Sequence, residues 1–140
     1  MDGFLTRPAV HEDVGDLLEF WAVAGENGSR PADRPDLLAQ LIDRDPGALI
    51  VAIHGGRVVA TIIAGWDGWR ASLYRLAVDP EFRGRGLGRH MLRLGERRLA
   101  ELGAERLCAM VLDANDLGQN LWRSAGYSPQ AEWSRWVKPV

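Results

Sequence analysis

Between residues 49 and 78, three apolar stretches are separated by two short glycine-bearing turns, and this alternation constrains the fold more than any other feature. Gly55-Gly56 joins the stretch 49–53 to 58–64, and Asp67-Gly68 joins that second stretch to a third over about 70–78. Turns of this composition supply the positive φ angles that tight hairpins need, so an antiparallel meander is predicted. Asp79-Pro80 stops the third strand. Around the meander the apolar spacing becomes helical. Val14, Leu17, Leu18 and Trp21 predict a helix over about 11–24. Leu37, Leu38, Leu41 and Ile42 predict a second helix, capped by Asp33 and ended by Asp45-Pro46-Gly47. Residues 3–7, closed by Pro8, read as a first strand and 25–31 as a loop. Further on, 87–102 reads as a helix ended by Gly103, 106–112 as a central strand, 116–125 as a short helix ended by Gly126, and 133–137 as a final strand. The order predicts one domain over 1–140 of α/β class (mixed α+β), with a mostly antiparallel mixed sheet and helices on both faces.

A chain of 140 residues with 46% apolar content is long enough for a single packed core. No apolar run approaches the roughly 18 residues that span a bilayer, and Met1-Asp2-Gly3-Phe4 does not open a signal peptide, so a cytoplasmic protein without membrane association is expected. The one cysteine, Cys108, excludes an internal disulfide and a Cys-rich metal site, and reads as a small buried strand residue. His11, His54 and His90 lack metal-ligand spacing, so no metal is expected. Trp66 and Trp69 bracket a turn and are expected to pair across strands, whereas Trp21, Trp133 and Trp136 fit core, pocket walls or a homodimer surface. The net charge of −2 argues against a generic nucleic-acid binder. It also hides a split: residues 1–69 carry 5 arginines against 11 carboxylates, and residues 70–140 carry 12 cations against 8. One reading is even mixing on the folded surface. The other is a basic half that holds an anion and an acidic half that receives a cation.

The segment that bears on chemistry is Leu76-Ala77-Val78-Asp79-Pro80-Glu81-Phe82-Arg83-Gly84-Arg85-Gly86-Leu87-Gly88-Arg89. A strand ends, a loop with three glycines and three arginines follows, and a helix begins. Unpaired N–H groups and the positive dipole end of a helix suit a phosphate, and glycines let the backbone approach its oxygens. A dinucleotide fingerprint fails, because the position for its third glycine holds Arg89 or Met91. A Walker A loop fails as well, since no Lys-Ser or Lys-Thr follows. A glycine-rich turn with solvated arginines is the plain alternative.

Arg83, Gly86 and Gly88 fit the Gln/Arg-x-x-Gly-x-Gly/Ala signature of the GNAT superfamily of acyl-CoA-dependent N-acyltransferases. Downstream, Asn115, Gly118, Leu121, Trp122, Gly126 and Tyr127 resemble that family's second signature. The element order matches over nearly the whole chain, which most resembles short bacterial acetyltransferases. A ratio of 16 arginines to one lysine fits a GC-rich genome. The resemblance implies acetyl-CoA as cosubstrate and an amine of a small molecule or peptide as acceptor. It implies that backbone groups of Leu76, Ala77 and Val78 pair with the pantetheine arm. By the same resemblance, Arg83, Gly84, Arg85, Gly86, Leu87, Gly88 and Arg89 hold the pyrophosphate, and Asn115 and Trp122 stand on the cofactor side. The implied chemistry is direct attack of a neutral amine on the thioester within a ternary complex, with backbone N–H near Val78 polarising the carbonyl.

The chain also departs from the family pattern. The usual acid, a Tyr seven residues after Asn115, is Trp122, and the two usual base positions hold Ser72 and Met110. The remaining proton-transfer candidates are Tyr74, Asp113, Glu26 and Asp33, with Tyr74 and Asp113 foremost. Tyr127 takes the family's packing aromatic. Two rival readings follow: an acyl-CoA-binding regulatory module that has lost catalysis, and a phosphate-binding interaction domain unrelated to CoA.

Overall fold

The computed structural model describes residues 3–24 and 32–140, so the predicted loop over 25–31, with Glu26, lies outside the described residues. The chain forms two compact units, Met1–Met110 and Val111–Val140.

The first unit is a five-stranded sheet in the order β1 (Leu5–Pro8), β2 (Leu49–His54), β3 (Arg57–Trp66), β4 (Ala71–Val78), β5 (Leu107–Ala109). The first three junctions are antiparallel and only β4–β5 is parallel, as expected of a mixed α/β domain. Gly55 and Gly56 turn the β2–β3 hairpin at φ +57° and +76°, angles that disfavour side chains with a Cβ. The helices α1 (Val14–Ala24), α2 (Pro35–Arg44) and α3 (Leu87–Leu102) cover both faces. Strand alternation decides which. Ile63 and Ala77 join Leu17, Phe20 and Trp21 of α1 and Leu38 and Ile42 of α2 in one core cluster. Ile62, Ala64 and Leu73 point the other way, beneath α3, where a Cβ on Gly95 would come within 3.0 Å of Leu73 and 3.2 Å of Ile62. That glycine lets the helix lie directly on the sheet. Leu87, Met91, Leu92 and Leu99 complete this face, each fully buried and each contributing about 1.5–3 kcal/mol.

Several expectations need correction. The first strand includes Pro8, which the edge position tolerates because no ladder N–H is required there. Asp33 does not cap α2: the N-cap is Arg34, Pro35 fixes the first turn, and the Asp33 carboxylate accepts from the Arg75 guanidinium instead. The predicted central strand over 106–112 shrinks to three residues at the sheet edge, and Cys108 is exposed rather than buried. With one side of β5 uncovered, apolar composition alone does not bury it. Trp66 stands opposite Ala71, not Trp69, which is 85% exposed in a turn that Asp67 closes by accepting the Trp69 and Arg70 N–H groups.

The second unit contains α4 (Asp116–Ser124), whose first turn Asn115 caps by accepting the Gly118 N–H at 3.0 Å. Trp122 is buried and meets Tyr127 edge-on, with ring centroids 4.9 Å apart. The expected strand over 133–137 is absent, and Trp133 and Trp136 are exposed. A strand needs a ladder partner, and among the described residues this unit supplies none.

Candidate functional site

The site is built on β4, which has two unlike edges. Toward β5 it pairs only through Ala71, Ser72 and Leu73. From Tyr74 to Val78 no described strand pairs with that edge. Toward β3, Tyr74 stands opposite Ile63 and Ala77 opposite Thr61, so Arg75 and Leu76 together face Ile62. This is a β-bulge, and within it Arg75 takes φ +54°. Such a left-handed conformation costs a residue with a Cβ about 1–2 kcal/mol. Past the bulge the Asp79 N–H donates to the Val59 carbonyl at 2.8 Å. Peptide groups alternate along a strand, so Ala77 also turns to β3 while Leu76 and Val78 address the open edge. The Val78 carbonyl is met there by Arg83, whose Nε–H donates to it at 3.2 Å.

A 3-10 turn over Pro80–Phe82, capped by Asp79 accepting the Glu81 N–H at 2.9 Å, joins the end of β4 to the glycine-rich loop. Gly84 and Gly86 adopt φ +78° and +80°, and a Cβ on either would meet nothing within 4 Å. These positions need glycine for backbone conformation, and the space in front of them is open. Gly86 is the N-cap of α3 and offers no side-chain cap. His90 N–H donates to the Gly86 carbonyl at 3.0 Å, so the N–H groups of Leu87, Gly88 and Arg89 precede the first intrahelical bond. No acidic residue sits in this turn. Arg83 and Arg85 are exposed, and the Arg85 guanidinium lies 5.1 Å from the centre of the Phe82 ring. Amides, dipole and guanidinium groups together suit a pyrophosphate.

The catalytic candidates distribute unevenly. Tyr74 is 43% exposed, on the same sheet face as its partner Ile63 and next to the bulge. Burial of its ring pushes the phenol above its ordinary value, with the neighbouring Arg75 opposing. Asp33 is committed to Arg75. Asp113 belongs to the second unit, on an exposed turn where its backbone carbonyl accepts from Gln119 at 2.6 Å. Glu26 lies outside the described residues. Ser72 and Met110, the positions of the absent bases, are both exposed. Asn115 spends its side-chain oxygen on a helix cap, and Trp122 is a packing residue of its own unit.

Sequence reasoning missed a buried polar chain beneath β4. The Trp21 Nε1–H donates to Thr61 Oγ1 at 2.9 Å, and Thr61 Oγ1 donates to the Arg75 carbonyl at 2.7 Å. Thr61, a polar residue inside the apolar run of β3, was its one signal in the sequence, since Arg75 reads there like any solvated strand residue. A separate cleft of about 580 Å³ opens between α1 and the segments 56–58 and 79–81. Among the described residues, Asp16, Glu19, Asp79 and Glu81 line it beside one cation, Arg57, and Tyr74, Asp113 and Asp33 are not in its lining.

An edge of β4 that no described strand pairs, followed by a helix N-terminus without a side-chain cap, is an arrangement that suits an extended, phosphate-bearing ligand. Similar folds occur in the PaiA N-acetyltransferase of Thermoplasma acidophilum, solved in complex with coenzyme A, which is 17% identical over 91% of each chain with a TM-score of 0.79. YncA of Salmonella typhimurium, solved with its cofactor acetyl-CoA, is 18% identical with a TM-score of 0.75, over 91% of this chain and 80% of that one. The ribosomal-protein-alanine N-acetyltransferase of Brucella melitensis is 27% identical with a TM-score of 0.72, over 87% of this chain and 83% of its own. The model of the acetyltransferase (GNAT) family matches residues 14–127, and the chain belongs to that family.

Proposed function

We propose that the protein is an acetyl-CoA-dependent N-acetyltransferase that acts on a primary amine of a small molecule or peptide by direct attack in a ternary complex. The observation that carries this reading is the second edge of β4, which no described strand pairs beyond Leu73, followed through a 3-10 turn over Pro80–Phe82 and the glycine loop by a first turn of α3 without a side-chain cap. The family match spans both units, which supports one functional domain over 1–140. Acetyl-CoA brings the activated acetyl group, and this chain's residues hold and orient it. Leu76 and Val78 present backbone groups to the pantetheine amides as an added strand would. Gly84 to Arg89 hold the pyrophosphate, with Arg83, Arg85 and Arg89 adding charge. Backbone N–H at the open edge polarises the thioester carbonyl. Tyr74, with its phenol held protonated by burial, donates a proton to the departing sulfur. Asp113 is the carboxylate proposed to accept the amine's proton.

The loss of the usual acid to Trp122 and of the usual bases to Ser72 and Met110 favours a second reading, a non-catalytic acyl-CoA-binding module. A panel of primary amines, assayed for acetyl-CoA-dependent thiol release, separates the two. Turnover with at least one amine supports the enzyme. Coenzyme A binding without turnover across the panel supports the module, and no coenzyme A binding refutes both.

A further inference from the structure

The bulge in β4 has a support that belongs to this chain's own side chains. Thr61 is fully buried in the centre of the sheet, and its hydroxyl has one proton and two lone pairs. It takes the Trp21 Nε1–H and gives its own proton to the Arg75 carbonyl, so the chain of bonds ends on the one residue of β4 with left-handed backbone. The Arg75 side chain is fixed from above. Its guanidinium lies 4.8 Å from the centre of the Trp21 ring and donates to the Asp33 carboxylate. Backbone and side chain of one strained residue are thus gripped by α1, β3 and Asp33, two residues before α2. Relaxing Arg75 into ordinary strand geometry would remove the bulge and shift the register of everything after it, including Leu76 and Val78.

We propose that Trp21, Thr61 and Asp33 are positioning residues: they lock Arg75 in its left-handed conformation and so set where the backbone groups of Leu76 and Val78 stand for the pantetheine arm. This rests on the acyl-CoA reading above. It separates two parts of one ligand site, because the bonds that form the lock end on Arg75 of β4 and act on the strand edge rather than on the first turn of α3. Loss of the lock therefore weakens ligands that carry pantetheine and spares those that carry only the phosphates.

The test is calorimetric binding of coenzyme A and of adenosine 3′,5′-bisphosphate, a nucleotide without pantetheine, to the full chain. Thr61→Val should weaken coenzyme A about tenfold or more while changing the nucleotide less than about twofold, on the scale by which misplacement near 1 Å acts. Thr61→Ser keeps the hydroxyl and should restore most of the affinity. Thr61→Val also strands a buried indole N–H, so its stability falls. The double variant Trp21→Phe/Thr61→Val removes the stranded indole N–H, though not the need of the Arg75 carbonyl for a donor, and should recover part of the lost stability while the selective loss of coenzyme A persists. If both ligands weaken equally, or if affinity returns together with stability in the double variant, the lock is only structural and the proposal is overturned. Unchanged coenzyme A affinity in Thr61→Val overturns it alone, whereas wild-type protein that binds no coenzyme A overturns the acyl-CoA reading with it.

Discussion

Gly86→Ala separates what the glycine does for the fold from what it does for a ligand. At φ +80° and ψ 7° the new Cβ sits in left-handed backbone, at about 1–2 kcal/mol, partly offset by lower chain entropy in the unfolded state. No atom lies within 4 Å of that Cβ, so steric overlap adds nothing. The ligand-free protein should therefore lose about 1 kcal/mol, a fall in Tm of roughly 4 °C for a chain of this size. Binding is affected separately, because the methyl group stands in open space at the N-cap of α3, where the proposed pyrophosphate would approach. At one hundred times its Kd, coenzyme A should stabilise the wild type by about 2.7 kcal/mol, a rise on the order of 10 °C. A tenfold weaker site leaves only about 1.4 kcal/mol at the same ligand concentration, so the rise should roughly halve. Gly103→Ala is the control. It places a Cβ at φ +107°, again in open space, at the opposite end of the same helix. It should cost similar stability and keep the full coenzyme A response. Thermal unfolding of the three proteins with and without coenzyme A decides the matter. Equal ligand-induced rises in Gly86→Ala and wild type would refute the assignment of pyrophosphate to this turn.

Asp13 accepts two bonds from Arg7 and one from the Val10 N–H, and the Arg7 guanidinium holds its carboxyl below the ordinary range. Asp13→Asn should cost about 1–2 kcal/mol in urea unfolding at pH 7, and the wild-type advantage should vanish as pH falls below 3.8 through the depressed folded value. If Tyr74 is the proton donor, activity should hold to about pH 10 and fall above it, because burial raises its phenol. Tyr74→Phe should then remove that limb and about 10²–10⁴ of the rate; a near-wild-type rate would dismiss the role. Cationic amines should outperform carboxylate-bearing ones by a margin that shrinks with salt, since exposed charges are screened beyond roughly 8–10 Å. Preferred turnover of an anionic acceptor would make the charge split functionally irrelevant. Trp122→Phe preserves an aromatic ring against Tyr127 and should keep most activity; a large rate loss with unchanged folding and coenzyme A affinity would contradict a packing role.

Local signals made the first unit readable. The Gly55-Gly56 turn, Asp79-Pro80 and Gly103 are short-range chemistry, and the strands and helix they punctuate fall where their residues place them. The glycine-rich loop was legible for the same reason, since strand, glycines and helix start follow one another in the sequence. The errors sit where a partner decides. Residues 133–137 have the apolar composition of a strand and 106–112 looks central, but pairing is a tertiary property that composition does not encode. Asp33 is a reasonable cap in isolation, and Pro35 together with the distant Arg75 overrides it. The bulge was invisible. Arg75 looks like any solvated strand residue until Trp21, 54 positions upstream, and Thr61 are folded against it.

The departure at Trp122 bears on rate more than on mechanism. A thiol of ordinary pKa near 8.5 leaves as a thiolate near neutral pH without obligatory protonation, and general acid assistance is typically worth 10²–10⁴-fold. Holding two reactants in attack geometry supplies about 7–11 kcal/mol, which is the larger share. In the proposed mechanism that geometry rests on backbone: a bulge in β4, an edge that no described strand pairs, and a helix start without a side-chain cap. None of these is a side chain, so none is lost when Tyr gives way to Trp or Glu to Ser. What the exchange removes is tuning of proton transfer. An acceptor amine that is already neutral at the working pH needs little of that tuning. The missing side chains thus point toward acceptors of lowered pKa, a trend the amine panel reads directly as higher turnover for weaker bases at fixed pH.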